Sequence, residues 1–138
     1  MKTNDECPLS GSVIGAPLVW LRMEGVFVFI LSILFYARTE ASWWLFLTML
    51  WAPDLSIAGY WLGARVGAVA YNVAHSYVGP VALAGVVVVV AASHQALLSY
   101  CLIWMAHIGM DRALGYGLKY PDAFKSTHLG TLGVGRRP

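Results

Sequence analysis

Apolar residues follow one another along this chain in four long blocks, which short polar or charged interruptions separate. Each block is long enough for a membrane-spanning helix, which needs about 20 mostly apolar residues. Because the interruptions are short, neighbouring helices should run antiparallel. The pattern predicts an all-α fold, an integral membrane up-down bundle of four transmembrane helices in a single domain over residues 1–138. The predicted spans are residues 17–37, 42–62, 68–93 and 95–116, followed by a cytoplasmic tail at residues 117–138.

Two prolines inside these blocks predict local breaks in the helices. The third block is longer than a straight crossing requires, and it contains Pro80. Proline removes a backbone donor and clashes with the preceding turn, so we expect the third helix to be kinked at Pro80. In the second block, Pro53 should open the helix one turn earlier, so that carbonyls near Met49 and Leu50 lose their partners.

Composition supports membrane insertion and excludes other classes of protein. Hydrophobic residues make up 59% of the chain and charged residues 12%, whereas soluble domains have about 45–50% and about 25%. The formal net charge of +2 gives no indication of nucleic-acid binding. Basic residues concentrate in the tail, which favours the bacterial inner (cytoplasmic) membrane with both termini cytoplasmic. The N-terminus lacks the pattern of a cleaved signal peptide.

The ionisable residues within the blocks lie at similar depth. Counted at 1.5 Å per residue from the cytoplasmic side, they fall about 7–14 Å into their spans, in the inner leaflet. Ionisable groups are costly in a membrane, and they usually mark a functional site. The sequence therefore predicts one buried His/carboxylate site drawn from all four spans: Glu24, Asp54, His75, His107 and Asp111.

Residue types in this layer match those of a metal site. His107 and Asp111 are four residues apart and share one helical face. Histidine and carboxylate ligands with open positions suit zinc, iron or manganese. The predicted metal ligands are Asp54, His75, His107 and Asp111. Haem, with His75 and His107 as axial ligands, is disfavoured by the surrounding carboxylates.

Other polar residues are predicted to act on a substrate. The predicted catalytic residues are Glu24, Asp54 and Arg112. Glu24 would be a general base or a fifth metal ligand, and Arg112 would stabilise a negatively charged group. Taken singly, these residues also allow structural interpretations, such as a hydrogen bond between helices or a snorkelling arginine. The predicted substrate-binding residues are Arg22, Asn72, Ser76, Tyr116 and Lys119, and Tyr71 is expected in the same surrounding layer.

Several segments of the chain resemble a small bacterial membrane family known as a domain of unknown function. The segments are WLRMEG, PDLSIAGYWLGARVGA, YNVAHSYVGP, AHIGMDRALGYGLKYP and THLG. A weaker similarity connects the chain with inner-membrane metal-dependent hydrolases, through Pro53-Asp54, His75-Ser76, and His107 with Asp111. Ser56 and Ala74 depart from that second pattern, where an acidic residue and a threonine are usual.

These observations favour a membrane-embedded enzyme that performs metal-dependent hydrolysis on a membrane lipid or another apolar small molecule. One alternative is a proton- or ion-coupled transport or binding protein. A transporter with only four spans per copy would need to form a homo-oligomer. Another is a metal-free isomerase or cyclase that uses the same residues for acid/base chemistry. A structural subunit would leave the polar layer unexplained.

Overall fold

The computed structural model describes residues 12–90, 95–121 and 126–131. Its helices are α1 (Ala16–Tyr36), α2 (Trp43–Met49), a 3₁₀ helix (Ala52–Leu62), α3 (Ala64–Ala74), α4 (Val78–Val90) and α5 (Gln95–Leu114). A hairpin of two short strands, β1 (Ser126–Thr127) and β2 (Gly130–Thr131), follows α5. The described chain is therefore helical apart from this small hairpin, in agreement with the predicted fold class.

Several helices are long and apolar enough to cross a membrane. Ala16–Tyr36 and Trp43–Leu62 meet that condition singly, and Ala64–Ala74 with Val78–Val90 meets it if the bent pair is one span. Large apolar side chains point outward along them, and Trp61 is 90% exposed. Such a surface suits lipid, because a soluble monomer rarely exposes extended apolar patches. The apolar helices thus support membrane insertion with two or three spans, and a count of four stays a prediction.

α5 lies at the centre of the molecule and packs most closely against α1. Glycines permit this approach: a Cβ atom on Gly25 would lie 2.6 Å from the Arg112 Cβ atom, and one on Gly109 would lie 2.7 Å from the Phe29 nitrogen. Near the other end of α5, an apolar cluster joins α1, α2 and α5. Its buried members are Tyr36, Phe46, Leu50, Ile103 and Ala106.

The second apolar block is not a single α-helix. After α2 the chain continues as an eleven-residue 3₁₀ helix. Pro53 has no N–H to continue the α-helical pattern, and the Asp54 nitrogen bonds the Trp51 carbonyl instead of a carbonyl four residues back. The 3₁₀ helix packs on α3, where a Cβ atom on Gly59 would lie 2.9 Å from the Ala70 Cβ atom.

The third apolar block is broken into two helices. α3 begins at Ala64, earlier than the predicted start, and the axes of α3 and α4 differ by 43°. The break lies at residues 75–77, ahead of Pro80, which sits in the first turn of α4. The predicted end of this span, residues 91–93, lies outside the described residues.

The tail after α5 folds back against the chain. Lys119 forms an isolated bridge with Thr127, and the His128 nitrogen donates to the Leu118 carbonyl at 3.1 Å. The nitrogen of Val13, before α1, donates to the His128 carbonyl at 2.8 Å. The described part of the tail therefore links the segment before α1 to the segment after α5.

Candidate metal centre

Four side chains from separate parts of the chain converge on one point. Asp54 lies on the 3₁₀ helix, His75 in the break after α3, and His107 and Asp111 one turn apart on α5. One nitrogen or carboxylate oxygen of each lies within 4.8 Å of the others. These are the four residues that the sequence predicted as metal ligands. The structure brings them together, while their role as ligands stays a prediction.

The distances within this group are short and similar. The two Nε2 atoms of His75 and His107 are 3.1 Å apart. His75 Nε2 lies 3.3 Å from Asp54 Oδ1 and 3.5 Å from Asp111 Oδ2. His107 Nε2 lies 3.6 Å from Asp54 Oδ1 and 3.7 Å from Asp111 Oδ2.

The group is buried on one side and open on the other. The His107 side chain is fully buried and His75 nearly so, whereas the Asp54 side chain is 36% exposed. Two apolar residues close to Asp54 in the chain, Trp51 and Leu55, are also exposed. The exposed member of the group therefore lies on a segment that carries exposed apolar side chains.

Hydrogen bonding fixes the state of the His75 ring. Its Nδ1 atom lies 2.9 Å from the Tyr71 carbonyl oxygen. A carbonyl can only accept, so in this contact Nδ1 carries the proton, and the Nε2 lone pair points toward His107 and the two aspartates. Several acceptor atoms thus face one another, which is an arrangement that a bound cation stabilises.

The break at Pro53 also affects the His107 ring. Since Asp54 bonds Trp51, the Leu50 carbonyl is not used by the Asp54 nitrogen. The Leu50 carbonyl lies near the His107 ring, and His107 Nδ1 is buried without a hydrogen-bond partner among the described residues. The sequence predicted a freed carbonyl near this position, and the structure shows it beside a candidate ligand.

Three of the four other charged candidates lie outside this group of side chains. The Glu24 side chain is exposed on α1. One Arg22 nitrogen donates to the Leu114 carbonyl at 3.4 Å. The Arg112 guanidinium donates to the carbonyls of His75 at 3.1 Å and Tyr116 at 3.3 Å. Arg112 therefore supports the chain at the break beside the site.

The three remaining polar candidates have different surroundings. Ser76 accepts from the Val78 nitrogen at 3.3 Å, and Tyr116 is exposed. The Asn72 amide pairs with the Lys119 main chain, accepting from its nitrogen at 2.7 Å and donating to its carbonyl at 2.9 Å. This pairing anchors the start of the tail to α3.

Lys119 is more deeply placed than its position after the last apolar block indicates. It is 5% exposed, and its ammonium lies 4.5 Å from the centre of the Tyr71 ring. Burial lowers the pKa of Lys119, and the negative charges of Asp111 and Asp54 oppose that shift. The sequence carried no sign of this burial, because the pairing with Asn72 joins residues far apart in the chain.

The comparisons with known proteins assign the chain to a family. A family model described as a domain of unknown function, DUF4260, matches residues 18–132. This match covers most of the chain, so the chain belongs to that family, and the resemblance to a family of unknown function is confirmed. No curated protein and no solved structure matches the chain.

Proposed function

We propose that this member of the DUF4260 family is a membrane-embedded, metal-dependent hydrolase of a lipid or another apolar small molecule. The observation that carries the proposal is the convergence of two histidines and two aspartates within 4.8 Å. Helix association alone gives little reason to bury such a set, since interhelical hydrogen bonds contribute only about 0.6 kcal/mol on average. Binding a cation gives a direct reason.

The distances support a small cation with protein ligands. Tetrahedral ligands at about 2.0–2.1 Å from a metal lie about 3.3–3.4 Å from one another. The five separations that involve a histidine nitrogen, from 3.1 to 3.7 Å, bracket that value, and the two carboxylate oxygens lie within 4.8 Å of each other. We propose Asp54, His75, His107 and Asp111 as the ligands. Zinc, iron and manganese all accept mixed histidine and carboxylate sets, so the metal is left to measurement.

Asp54 is proposed to have a second role in the reaction. A bound metal ion would supply Lewis acidity and a water molecule of lowered pKa. Asp54 is the most exposed of the four ligands and lies at the opening. It is therefore the ligand best placed to exchange with water and to accept its proton. Arg112, beside the His75 carbonyl, would stabilise charge that develops at the site. Glu24 would contribute only after a rearrangement of α1.

The substrate is proposed to enter from the membrane. Trp51 and Leu55, which are close to Asp54 in the chain, are exposed apolar residues, and an apolar molecule that approaches Asp54 along this segment is therefore favoured. Lys119 and Asn72 are proposed to bind its polar end, with contributions from Arg22, Ser76 and Tyr116. Exposed Tyr116 and half-buried Arg22 are proposed to contact a headgroup near the membrane surface.

The finer topology belongs to the same proposal. We infer four spans, with α5 as the fourth, because its twenty residues match the length of a crossing. Pro80 is proposed to cause the break before α4, since it cannot donate to a carbonyl at position 76. The basic tail favours both termini in the cytoplasm and the bacterial inner membrane.

The first test is a metal analysis of the protein purified in mild detergent without a histidine tag. We expect near-stoichiometric zinc, iron or manganese in the wild type and its loss in His107→Ala/Asp111→Ala. The matched control, Glu24→Ala/His128→Ala, removes one carboxylate and one imidazole outside the group and should keep the metal. A folded wild type that binds none, even when metal is supplied during expression, would exclude the metal-dependent reaction and direct attention to proton transfer.

A further inference from the structure

Tyr71 contacts two of the proposed ligands at once. It lies on α3, one turn before His75, and its carbonyl faces His75 Nδ1 at 2.9 Å. Its hydroxyl lies 3.3 Å from Asp111 Oδ2, the oxygen that faces the group. Its ring stacks on the His75 imidazole, with centroids 3.7 Å apart and planes 10° from parallel.

Each contact restricts a different degree of freedom of the ligands. The carbonyl selects the tautomer in which His75 Nε2 has a free lone pair. Stacking holds the plane of the ring, and the hydroxyl donates to Asp111 and holds one carboxylate oxygen toward the group. Groups that orient ligands in this way typically alter metal affinity by 10–100-fold when they are removed.

We propose that Tyr71 is a positioning residue, which orients His75, directly after α3, and Asp111 on α5 toward a common metal ion. This inference rests on the proposed metal centre and extends it to a residue that holds no metal itself. One side chain thereby orients ligands from two separate segments of the chain, and the geometry of the centre depends on the position of Tyr71 beside Asp111.

The substitution that isolates the hydroxyl is Tyr71→Phe, because it keeps the main-chain carbonyl and the stacked ring. Tyr77→Phe is the matched control: it removes the same atom six residues later, from a buried hydroxyl that has no hydrogen-bond partner among the described residues. Both variants, and the wild type, would be purified without a tag and titrated with Co²⁺ alone. The visible absorption bands of Co²⁺ report its ligand geometry, and thermal unfolding of the metal-free proteins reports the fold.

We expect Tyr71→Phe to bind Co²⁺ roughly 10–100-fold more weakly than the wild type and to shift the visible bands. Tyr77→Phe should match the wild type in both respects. A merely structural tyrosine would lower the unfolding temperature of the metal-free protein and leave the bands of the bound metal unchanged.

Two results would overturn the inference, and they differ from each other. Equal affinity and identical bands in Tyr71→Phe and wild type would exclude the positioning role while leaving the metal centre intact. Failure of the wild type itself to bind Co²⁺ would exclude the metal centre, and the positioning role with it.

Discussion

At the residue scale, two carboxylates are held near each other inside an apolar protein. Asp54 and Asp111 each have an oxygen in the same group of ligand atoms. Two like charges at such a distance disfavour the folded state unless a cation or a proton lies between them. The group should therefore stabilise the protein when metal is bound and destabilise it when metal is removed.

Asp111→Asn tests this reversal. Without metal the variant should unfold at a temperature equal to or above that of the wild type, because one of the two like charges is gone. At a metal concentration 100 times the Kd of the wild type for that metal, the free energy of unfolding of the wild type should increase by about 2.7 kcal/mol. That of the variant should increase far less. Thermal unfolding with chelator and with added Zn²⁺ measures both effects. A variant that gains as much as the wild type would contradict the assignment of Asp111 as a ligand.

His128 should make the attachment of the tail depend on pH. Burial, and secondarily the positive charge of Arg112, lower the pKa of His128. Its Nδ1 accepts from the Leu118 nitrogen at 2.8 Å, which requires the unprotonated atom. The stabilisation is therefore complete above the unfolded pKa of about 6.5 and is lost as pH falls below that value.

Hydrogen exchange of the Leu118 and Val13 amides, corrected for the intrinsic pH dependence, should show reduced protection at pH 5 relative to pH 8. His128→Gln offers a carbonyl oxygen that does not titrate, so in this variant the protection of the two amides should stay constant between pH 5 and pH 8. Equal protection of the wild type at both values would contradict the prediction.

At the element scale, the apolar blocks and an opening of the helix at Pro53 could be predicted, but the form of the internal breaks could not. The second block contains a proline, and the sequence predicted only that the α-helix opens there. Continuation as a 3₁₀ helix depends on packing against α3, to which Gly59 contributes. Likewise, the third block breaks at residues 75–77, where Arg112 from α5 binds the His75 carbonyl. Such contacts join distant segments, and local patterns do not contain them.

Close packing of α1 on α5 predicts a strong effect of one methyl group. In Gly25→Ala the added Cβ would lie 2.6–2.8 Å from the main chain and Cβ of α5, which should cost about 1–3 kcal/mol of stability. Gly85→Ala is the control, because nothing lies within 4 Å of a Cβ there, and the helix propensity of alanine should leave it neutral or stabilised. Unfolding in mixed detergent measures both, and equal stabilities would contradict the packing of α1 on α5.

At the scale of the whole molecule, the site joins segments that are far apart in sequence. The depth of each ionisable residue along its span predicted one shared layer of five residues, of which the structure brings four together. Depth gives the height of a residue in a helix but not the direction in which it points. Glu24 shows the difference: it shares the predicted layer, yet it is exposed on α1 while the adjacent Gly25 faces α5.

Cysteine labelling tests the inferred topology. In a background without Cys7 and Cys101, Thr39→Cys should react with a membrane-impermeant maleimide in intact cells, since four spans with cytoplasmic termini place this loop outside. Arg65→Cys, between the second and third spans, should react only after the membrane is permeabilised. The reverse pattern would invert the orientation, and labelling of both in intact cells would contradict four spans.

The eleven-residue 3₁₀ helix has a consequence for how this family can vary during evolution. With three residues per turn, positions 55, 58 and 61 form a straight outward stripe, and Leu55, Ala58 and Trp61 are all exposed. Pro53, Ser56 and Gly59 occupy another stripe, which is the most buried of the three. Homologues should therefore exchange apolar residues freely at every third position of this segment. Gain or loss of a single residue would rotate the remainder of the helix by about 120°, so lineages should tolerate length changes here only in multiples of three.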